Sequence, residues 1–227
     1  MPCNRPGGPK GIFTPRLAYN KGMEGAHLEQ IDHNGTMLEA HLVFTRELLA
    51  AGVRSIAKRI ASWHGGAAAP LEILCILNGA RRFTGDLAQQ LSVLGVKTNI
   101  HFVHISSTEG ARATGAARLQ GDFHPELLKG KRVLVADDII DTGATLSLVK
   151  QMVAAAGTAE VKTAAVINKY ADNSAMGDFV VHDLKFTHDQ LKNDEGKKID
   201  YWLFGYGMDL GGQFRHLDHI AWAVVER

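Results

Sequence analysis

The stretch RVLVADDIIDTGATL, residues 132–146, joins an apolar run to three carboxylates and a series of small residues. The apolar run before Asp137 predicts a buried strand that ends at two adjacent acids. In open α/β sheets, ligands lie beyond the carboxyl ends of the strands, so Asp137 and Asp138 are candidate ligand-binding side chains. Two adjacent buried carboxylates repel each other unless hydroxyl groups or a metal ion relieve the charge. The two vicinal hydroxyls of a ribose would do so.

The residues that follow these acids suit a bound phosphate. Small residues at 142–145 allow backbone N–H groups to point into one concavity at the start of a helix, where the helix dipole favours an anion. Thr142 and Thr145 add hydroxyl donors. The spacing therefore predicts a sugar-phosphate site, with the phosphate at 141–145 and Asp141 near carbon one of the sugar. The alternative is a buried strand with a carboxylate-capped helix, which explains a single Asp but not this combination.

The composition of the whole chain is that of an ordinary globular protein. Its 227 residues fit one large domain or a domain with an added lobe. Lys plus Arg total 25 and Asp plus Glu total 24, so the net charge gives no indication of a nucleic-acid or membrane partner. No apolar run reaches the roughly 18 residues of a membrane span. Only Cys3 and Cys75 are present, which argues against a disulfide framework and favours a cytoplasmic location.

Apolar segments alternate along the chain between strand-like and helix-like spacing. Residues 1–25 are rich in Pro, Gly and basic residues and are predicted to be a flexible arm, while 26–227 are predicted to form one domain. Residues 37–63 are predicted to be helical, with Gly52 as a break between two helices. The polar stretch 107–131 predicts a loop that acts as a functional flap. Strands are predicted at 71–77, 98–106, 132–137, 161–168, 177–186, 201–208 and 219–226, and further helices at 82–95 and 143–156.

This alternation of strands and helices indicates an α/β domain with a mainly parallel sheet. Beyond that, VLVADDIIDTGATL closely resembles the phosphoribosyl diphosphate (PRPP) motif of the type I phosphoribosyltransferases, and its DDIIDTG core resembles the hypoxanthine-guanine branch most. The resemblance implies the type I phosphoribosyltransferase fold, a central parallel sheet flanked by helices with a small hood lobe. The hood would be built from about 26–60 and 185–227. The ribose and phosphate contacts would come from Asp137, Asp138, Asp141, Thr142, Gly143, Ala144 and Thr145.

Two further segments are similar to motifs of this family. In LCILNGARRF, Gly79 matches the turn that holds the diphosphate, and Asn78 stands where the family most often has Lys. Arg82 or its neighbour Arg81 is a candidate to supply the missing charge. The family also has a flexible loop that closes over the reacting centre and usually begins with Ser-Tyr. ISSTEGARATG resembles that loop but has Ser107-Thr108, without the aromatic ring.

The C-terminal third resembles the purine-binding part of the family. Lys169, in VKTAAVINKY, matches the lysine that bonds the exocyclic oxygen of the purine. In YWLFGYGMDLGGQFRHLDHI, the resemblance implies that Trp202 stacks on the base and that the backbone of Leu203 reads its edge. Asp209 would belong to the same pocket and hold a magnesium ion, and Arg215 would clamp the diphosphate. Asp137 is the second candidate ligand of Mg²⁺, the one cofactor that the resemblance implies.

The resemblance implies a pentosyltransferase of purine salvage. It would transfer the phosphoribosyl group of PRPP to hypoxanthine, and to guanine, giving IMP or GMP and diphosphate. Asp141 would take or share the proton on the seven-position nitrogen of the base, and the enzyme would be a homodimer or homotetramer. Two alternatives stay open, a phosphoribosyltransferase for xanthine or another base and a non-catalytic PRPP-sensing regulator. The presence of Asp141, Lys169, Asp209 and Arg215 together favours an enzyme.

Overall fold

The computed structural model describes residues 28–109, 112–120, 124–170, 177–186 and 201–224. The predicted arm at 1–25 lies outside these ranges. The elements are β1 (Leu28–His33), β2 (Thr36–Phe44), α1 (Arg46–His64), β3 (Leu71–Leu77), α2 (Arg81–Val93), β4 (Thr98–Glu109), β5 (Arg112–Gln120), a short 3-10 helix (Pro125–Leu128), β6 (Arg132–Ile140), α3 (Ala144–Ala155), β7 (Glu160–Tyr170), β8 (Phe179–Phe186), β9 (Tyr201–Phe204) and β10 (Ile220–Val224). Among these, no helix combines the length and the apolar character that crossing a membrane would require.

The larger of two sheets has the strand order β5-β4-β3-β6-β7-β8. Strands β4, β3, β6, β7 and β8 run parallel to one another, and β5 pairs antiparallel with β4. The central strands β3 and β6 are buried over most of their length, as expected for a sheet that is covered on both faces. Helices α1 and α2 pack on one face and α3 on the other. The predicted α/β architecture of the type I phosphoribosyltransferases is confirmed.

The smaller sheet is antiparallel, with the order β1-β2-β10-β9, and forms the hood. Its N-terminal part ends at Phe44 and not near residue 60, because α1 packs against α2 and β8 of the larger sheet. The prediction of a helix over 37–44 was wrong. Side chains in this stretch alternate between more and less exposed positions, and its backbone pairs with β1 and β10 on either side.

Helix α1 runs without a break through Gly52, so the predicted division into two helices was also wrong. Its N-terminus is capped by Thr45, whose Oγ1 accepts a hydrogen bond from the backbone N–H of Leu48. A Cβ atom built at Gly52 would collide with the side chain of Val181 on β8. The glycine therefore allows α1 to approach the sheet closely.

Residues 107–109 and 112–120, which were predicted to belong to a loop, lie in strands. Strand β4 continues to Glu109, and β5 returns antiparallel to it with a register shift between Ser106 and Thr108. The backbone of Ser107 and Thr108, predicted to open a flexible loop, thus lies in β4. The sequence of β5, RATGAARLQ, has almost none of the β-branched and aromatic residues that mark strands. Its pairing rests on backbone hydrogen bonds, which the residue types do not reveal.

Candidate active site

The strand order of the larger sheet creates a crevice between β3 and β6. From β3 the chain moves outward to β4 and then returns to place β6 on the other side of β3. At such a switch point, the loops after neighbouring strands diverge and leave room for a ligand. Pairing between β3 and β6 runs from Glu72–Val133 to Cys75–Ala136, whereas β6 stays paired with β7 as far as Ile140. The acids that follow Ala136 therefore lie inside β6 but at the open end of the crevice, and the predicted end of this strand at residue 137 was too early.

Asp137 and Asp138 interact directly at this position. Asp137 is only 5% exposed, and its Oδ1 accepts a hydrogen bond of 3.0 Å from the backbone N–H of Asp138. The N–H of Ile139 donates to Oδ1 of Asp138 over 2.9 Å. Burial raises the pKa of both carboxyl groups, and the charge of Asp138 raises that of Asp137 further, well above its usual value. Burial and mutual repulsion therefore disfavour the ionised pair, and hydroxyl donors or a cation would favour it.

Two glycines bring three chain segments together beside this pair. A Cβ atom at Gly79 would overlap the carboxylate of Asp138, and one at Gly207 would overlap the carbonyl oxygen of Gly79. The backbone of the turn after β3 thus lies against the carboxylate on one side and against the C-terminal segment on the other. The peptide bond between Leu77 and Asn78, which leads into this turn, is cis. Asn78 and Gly79 occupy the place predicted for the diphosphate-binding turn.

The start of α3 lies directly after the acids. Gly143 precedes the helix with a φ of 75°, and Oγ1 of Thr142 accepts a long hydrogen bond of 3.4 Å from the N–H of Ala144. The side chain of Asp141 is half exposed, and its Oδ2 lies 3.4 Å from Nζ of Lys169 near the end of β7. The ammonium group of Lys169 is buried, with 8% of the side chain exposed. The structure therefore brings the two predicted groups together across a separation of 28 residues.

The C-terminal residues predicted for the site form a second connected group. Nε1 of Trp202 donates a hydrogen bond of 2.6 Å to the carbonyl oxygen of Asp209. The carboxylate of Asp209 lies 2.7 Å from Nη2 of Arg215 and accepts a hydrogen bond of 2.7 Å from the N–H of Gly212. Trp202 is 37% exposed, whereas Leu203, which is also on β9 and pairs with Trp222 of β10, is buried. A partly exposed ring beside a buried strand is the arrangement that stacking on a planar ligand requires.

The suggestion that Arg82 supplies charge to the diphosphate turn is not supported by its contacts. Its Nη1 donates hydrogen bonds to the carbonyl oxygens of His216 and Leu217, at 3.1 and 2.7 Å. Its guanidinium also lies over the ring of Tyr206, whose hydroxyl donates to Asp86. None of these contacts was predicted from the sequence. The two glycines that flank Tyr206 were the only sign in the sequence that this segment has an unusual backbone.

The chain as a whole is similar to known proteins in sequence and in fold. The family model of the phosphoribosyl transferase domain matches residues 45–195. Hypoxanthine-guanine phosphoribosyltransferase of Leishmania donovani is 27% identical over 81% of this chain and 83% of its own length. Its human counterpart is 27% identical over 65% of each chain. The crystal structure of the L. donovani enzyme superposes with a TM-score of 0.66 over 82% of this chain and 99% of that one. Trypanosoma cruzi hypoxanthine phosphoribosyl transferase, from a study of its C-terminal region and oligomeric state, gives 0.65 at 27% identity, over 82% and 90%.

Proposed function

The chain belongs to the phosphoribosyl transferase domain family, and from this premise we propose that it transfers the phosphoribosyl group of PRPP to hypoxanthine and to guanine. The products would be IMP or GMP and diphosphate. The observation that carries the choice of a purine is the contact between Lys169 and Asp141. This contact joins Lys169, a cation suited to the six-oxo group of a base, to Asp141, the third carboxylate of the PRPP motif.

The PRPP site is proposed to lie between β3, β6 and α3. Asp137 and Asp138 accept hydrogen bonds from the ribose hydroxyls, which favour the ionised form that burial disfavours. The 5′-phosphate binds the N–H groups at the start of α3, with Thr142 and Thr145 as additional donors. The remaining residues of the motif, Gly143 and Ala144, keep the backbone accessible. Asn78, Gly79 and Arg215 contact the diphosphate.

The purine is proposed to lie between the hood and the end of β7. Its ring stacks on Trp202, its edge meets the backbone of Leu203, and Lys169 donates to its six-oxo oxygen. Asp209 completes the pocket, and its backbone carbonyl oxygen accepts the hydrogen bond from Nε1 of Trp202. Stacking of a base on an aromatic ring contributes about 1–3 kcal/mol.

The chain provides positioning and charge compensation for a reaction that needs no covalent nucleophile. As the bond from carbon one to diphosphate breaks, positive charge develops on the ribose, and the acids at the end of β6 lie beside it. Asp141 takes or shares the proton of the seven-position nitrogen, and Lys169 holds this carboxylate in place. The hairpin segment 107–118 remains our prediction for the element that excludes water.

Magnesium is the cofactor that these residues fit. The described residues contain no group of three or more side chains able to ligate a metal. However, Mg²⁺ is usually held by one or two carboxylates together with substrate phosphates. The buried acidic pair at Asp137 carries charge that a hard cation would compensate, and Asp209 is the second proposed ligand. When bound, the ion neutralises the leaving diphosphate.

A second copy of the chain is the proposed partner, in a homodimer or homotetramer located in the cytoplasm. Val93, Leu94, Ile100 and Phe102 form an exposed apolar surface at the end of α2 and on the neighbouring β4. A free, buried Cys75 fits a reducing compartment.

Phe102→Asp should reduce the mass measured by light scattering to that of a monomer, whereas Leu127→Asp, at an exposed apolar residue elsewhere, should not. An unchanged mass in both variants would contradict this interface.

A spectrophotometric assay with PRPP, Mg²⁺ and each of hypoxanthine, guanine, xanthine and adenine tests the proposal. We expect turnover with hypoxanthine and guanine and little with adenine, which has no six-oxo group. Turnover with xanthine alone would move the assignment to a different base. Tight binding of PRPP without turnover of any base would indicate a regulator.

A further inference from the structure

The segment that carries Arg215 has an unusual backbone where it faces the diphosphate turn. Gly205, Tyr206 and Gly207 all have positive φ angles, of 92°, 51° and 104°. The left-handed conformation is accessible to glycine but is strained for a residue such as tyrosine unless its surroundings hold it there. Tyr206 is only 4% exposed, so packing around its side chain provides that restraint.

Helix α2 supplies the contacts that hold this side chain. The hydroxyl of Tyr206 donates a hydrogen bond of 2.6 Å to Oδ2 of Asp86, and the guanidinium carbon of Arg82 lies 5.0 Å from the centre of its ring. Burial and the carboxylate of Asp86 both raise the pKa of the phenol, so it remains a donor throughout the physiological range. A cation over a tyrosine ring adds a favourable electrostatic contact.

The same arginine also holds the far limb of the segment. Nη1 of Arg82 donates to the carbonyl oxygens of His216 and Leu217, and the N–H of Tyr206 donates to Leu217 over 3.0 Å. Both limbs of the turn, at 205–207 and at 216–217, are therefore attached to α2. Arg215 lies between them, and its Nη1 donates to the carbonyl oxygen of Gly207 over 2.8 Å.

We infer that Arg82, Asp86 and Tyr206 form a brace that positions the diphosphate-binding half of the site. The brace fixes Gly207 against Gly79 and aims Arg215. It acts through the residues that it holds, so its members are positioning residues. This inference rests on the proposed function, because it assumes that Gly79 and Arg215 bind diphosphate.

The brace has a selective consequence that a general structural role would not have. PRPP and diphosphate use the braced segment, whereas a ribose 5-phosphate without a base would bind only the β6–α3 motif on the sheet. Loosening the brace should weaken the binding of diphosphate and leave that of ribose 5-phosphate unchanged. Displacement of a positioning group by about 1 Å can cost on the order of 100-fold.

The test measures calorimetric affinities for Mg²⁺-diphosphate and for ribose 5-phosphate, together with kcat and the KM for PRPP. For Arg82→Ala we expect diphosphate affinity and KM for PRPP to worsen by about 10- to 100-fold, with ribose 5-phosphate affinity within about twofold of wild type. Arg82→Lys keeps the charge but not the planar fork and should recover only part of the loss. Gln89→Ala, at an exposed position of α2 one turn beyond Asp86, is the matched control and should behave as wild type.

Tyr206→Phe serves as the second variant if Arg82→Ala does not fold. It keeps the ring beneath the guanidinium and removes only the hydrogen bond to Asp86, so we expect a loss of about three- to tenfold, again for diphosphate and not for ribose 5-phosphate. Equal losses for both ligands, or no loss for diphosphate, would overturn the brace while the wild-type activity stands. A wild-type protein that binds neither PRPP nor diphosphate would overturn the proposed function, and the brace with it.

Discussion

At the scale of single residues, the contact between Lys169 and Asp141 links the two halves of the site. Lys169 comes from the end of β7 and Asp141 from the end of β6, and their side chains meet at 3.4 Å. The lysine is buried and the aspartate is half exposed, so the carboxylate can reach a ligand while the ammonium fixes its direction. The exposure of this carboxylate supports the role of proton acceptor that we propose for Asp141.

Replacement of Asp141 tests the proposed role of its carboxylate in proton transfer. Asp141→Asn keeps the shape of the side chain and removes its basicity, so kcat for hypoxanthine should fall by about 10²- to 10⁴-fold. The KM for PRPP should change much less, because the ribose and phosphate contacts come from neighbouring residues. Steady-state kinetics with both substrates varied would separate the two effects. Asp32→Asn, the same change in the hood hairpin, is the control, and a kcat within about threefold of wild type for Asp141→Asn would exclude this role.

The residues of the site differ in how far the sequence could predict them. Those from Asp137 to Thr145 were predictable because one contiguous stretch contains them, and the spacing alone indicates ribose and phosphate. Arg82, Asp86 and Tyr206 were not, because their contacts join positions 120 or more residues apart. Which arginine faces a ligand and which one holds the chain depends on such contacts, and no local pattern encodes them.

At the scale of elements, the sequence predicted best where burial is continuous. Strand β3 was predicted at its observed bounds, since an apolar run closed by Asn-Gly has few alternative structures. The larger errors lie in β2 of the hood and in the β4–β5 hairpin at the edge of the sheet, besides the break predicted at Gly52 and the early end predicted for β6. Backbone pairing holds β2 between β1 and β10 and holds β5 against β4, and the residue types of these strands give little sign of it.

Two helix glycines should respond in opposite ways to the same substitution. Gly52 in α1 has the side chain of Val181 where a Cβ atom would lie, whereas Gly85 in α2 has no atom within 4 Å of that position. Gly85→Ala should raise the free energy of unfolding by about 0.5–1 kcal/mol through helix propensity. Gly52→Ala should lower it by about 1–3 kcal/mol, because β-branched Val181 is stiff and the interface between α1 and β8 must shift.

Chemical denaturation of both variants measures these changes. Each variant is the control of the other, since helix propensity alone predicts the same stabilisation at both sites. Equal stabilisation would show that α1 does not depend on a close approach to β8 at Gly52.

At the scale of the whole molecule, the two ends of the larger sheet have different tasks. The carboxyl ends of β3 and β6 carry the acids and glycines that we propose to bind ligand, and burial of the acids works against stability. At the opposite end, Glu72 on β3 is almost fully buried, with 1% of its side chain exposed, and it joins two neighbouring segments. Its oxygens contact Nδ2 of Asn99 at 3.1 Å and Nε2 of His101 at 2.6 Å, both on β4, and Nζ of Lys131 before β6 at 2.9 Å.

This cluster should make the stability of the fold depend on pH in the acid range. Burial alone would raise the pKa of Glu72, but the hydrogen bonds from His101, Lys131 and Asn99 outweigh it and hold the pKa below its usual value of 4.5. A carboxyl group with a lower pKa in the folded state stabilises the fold above its unfolded pKa. That contribution is lost as the pH falls through the folded pKa.

Glu72→Gln should therefore destabilise the protein at pH 7 by about 1–3 kcal/mol, because the strongest acceptor of the cluster loses its charge. The melting temperature should fall by about 2–4 °C for each kcal/mol. Below about pH 4 the difference from wild type should shrink, since protonation of Glu72 then removes from the wild type the charge that the variant already lacks. Thermal unfolding at pH 7 and below pH 4, at equal ionic strength, measures this change. Glu160→Gln, which removes a half-exposed partner of Arg132, should cost less than about 1 kcal/mol at either pH. A penalty for Glu72→Gln that is the same below pH 4 as at pH 7 would mean that packing, and not charge, holds this end of the sheet together.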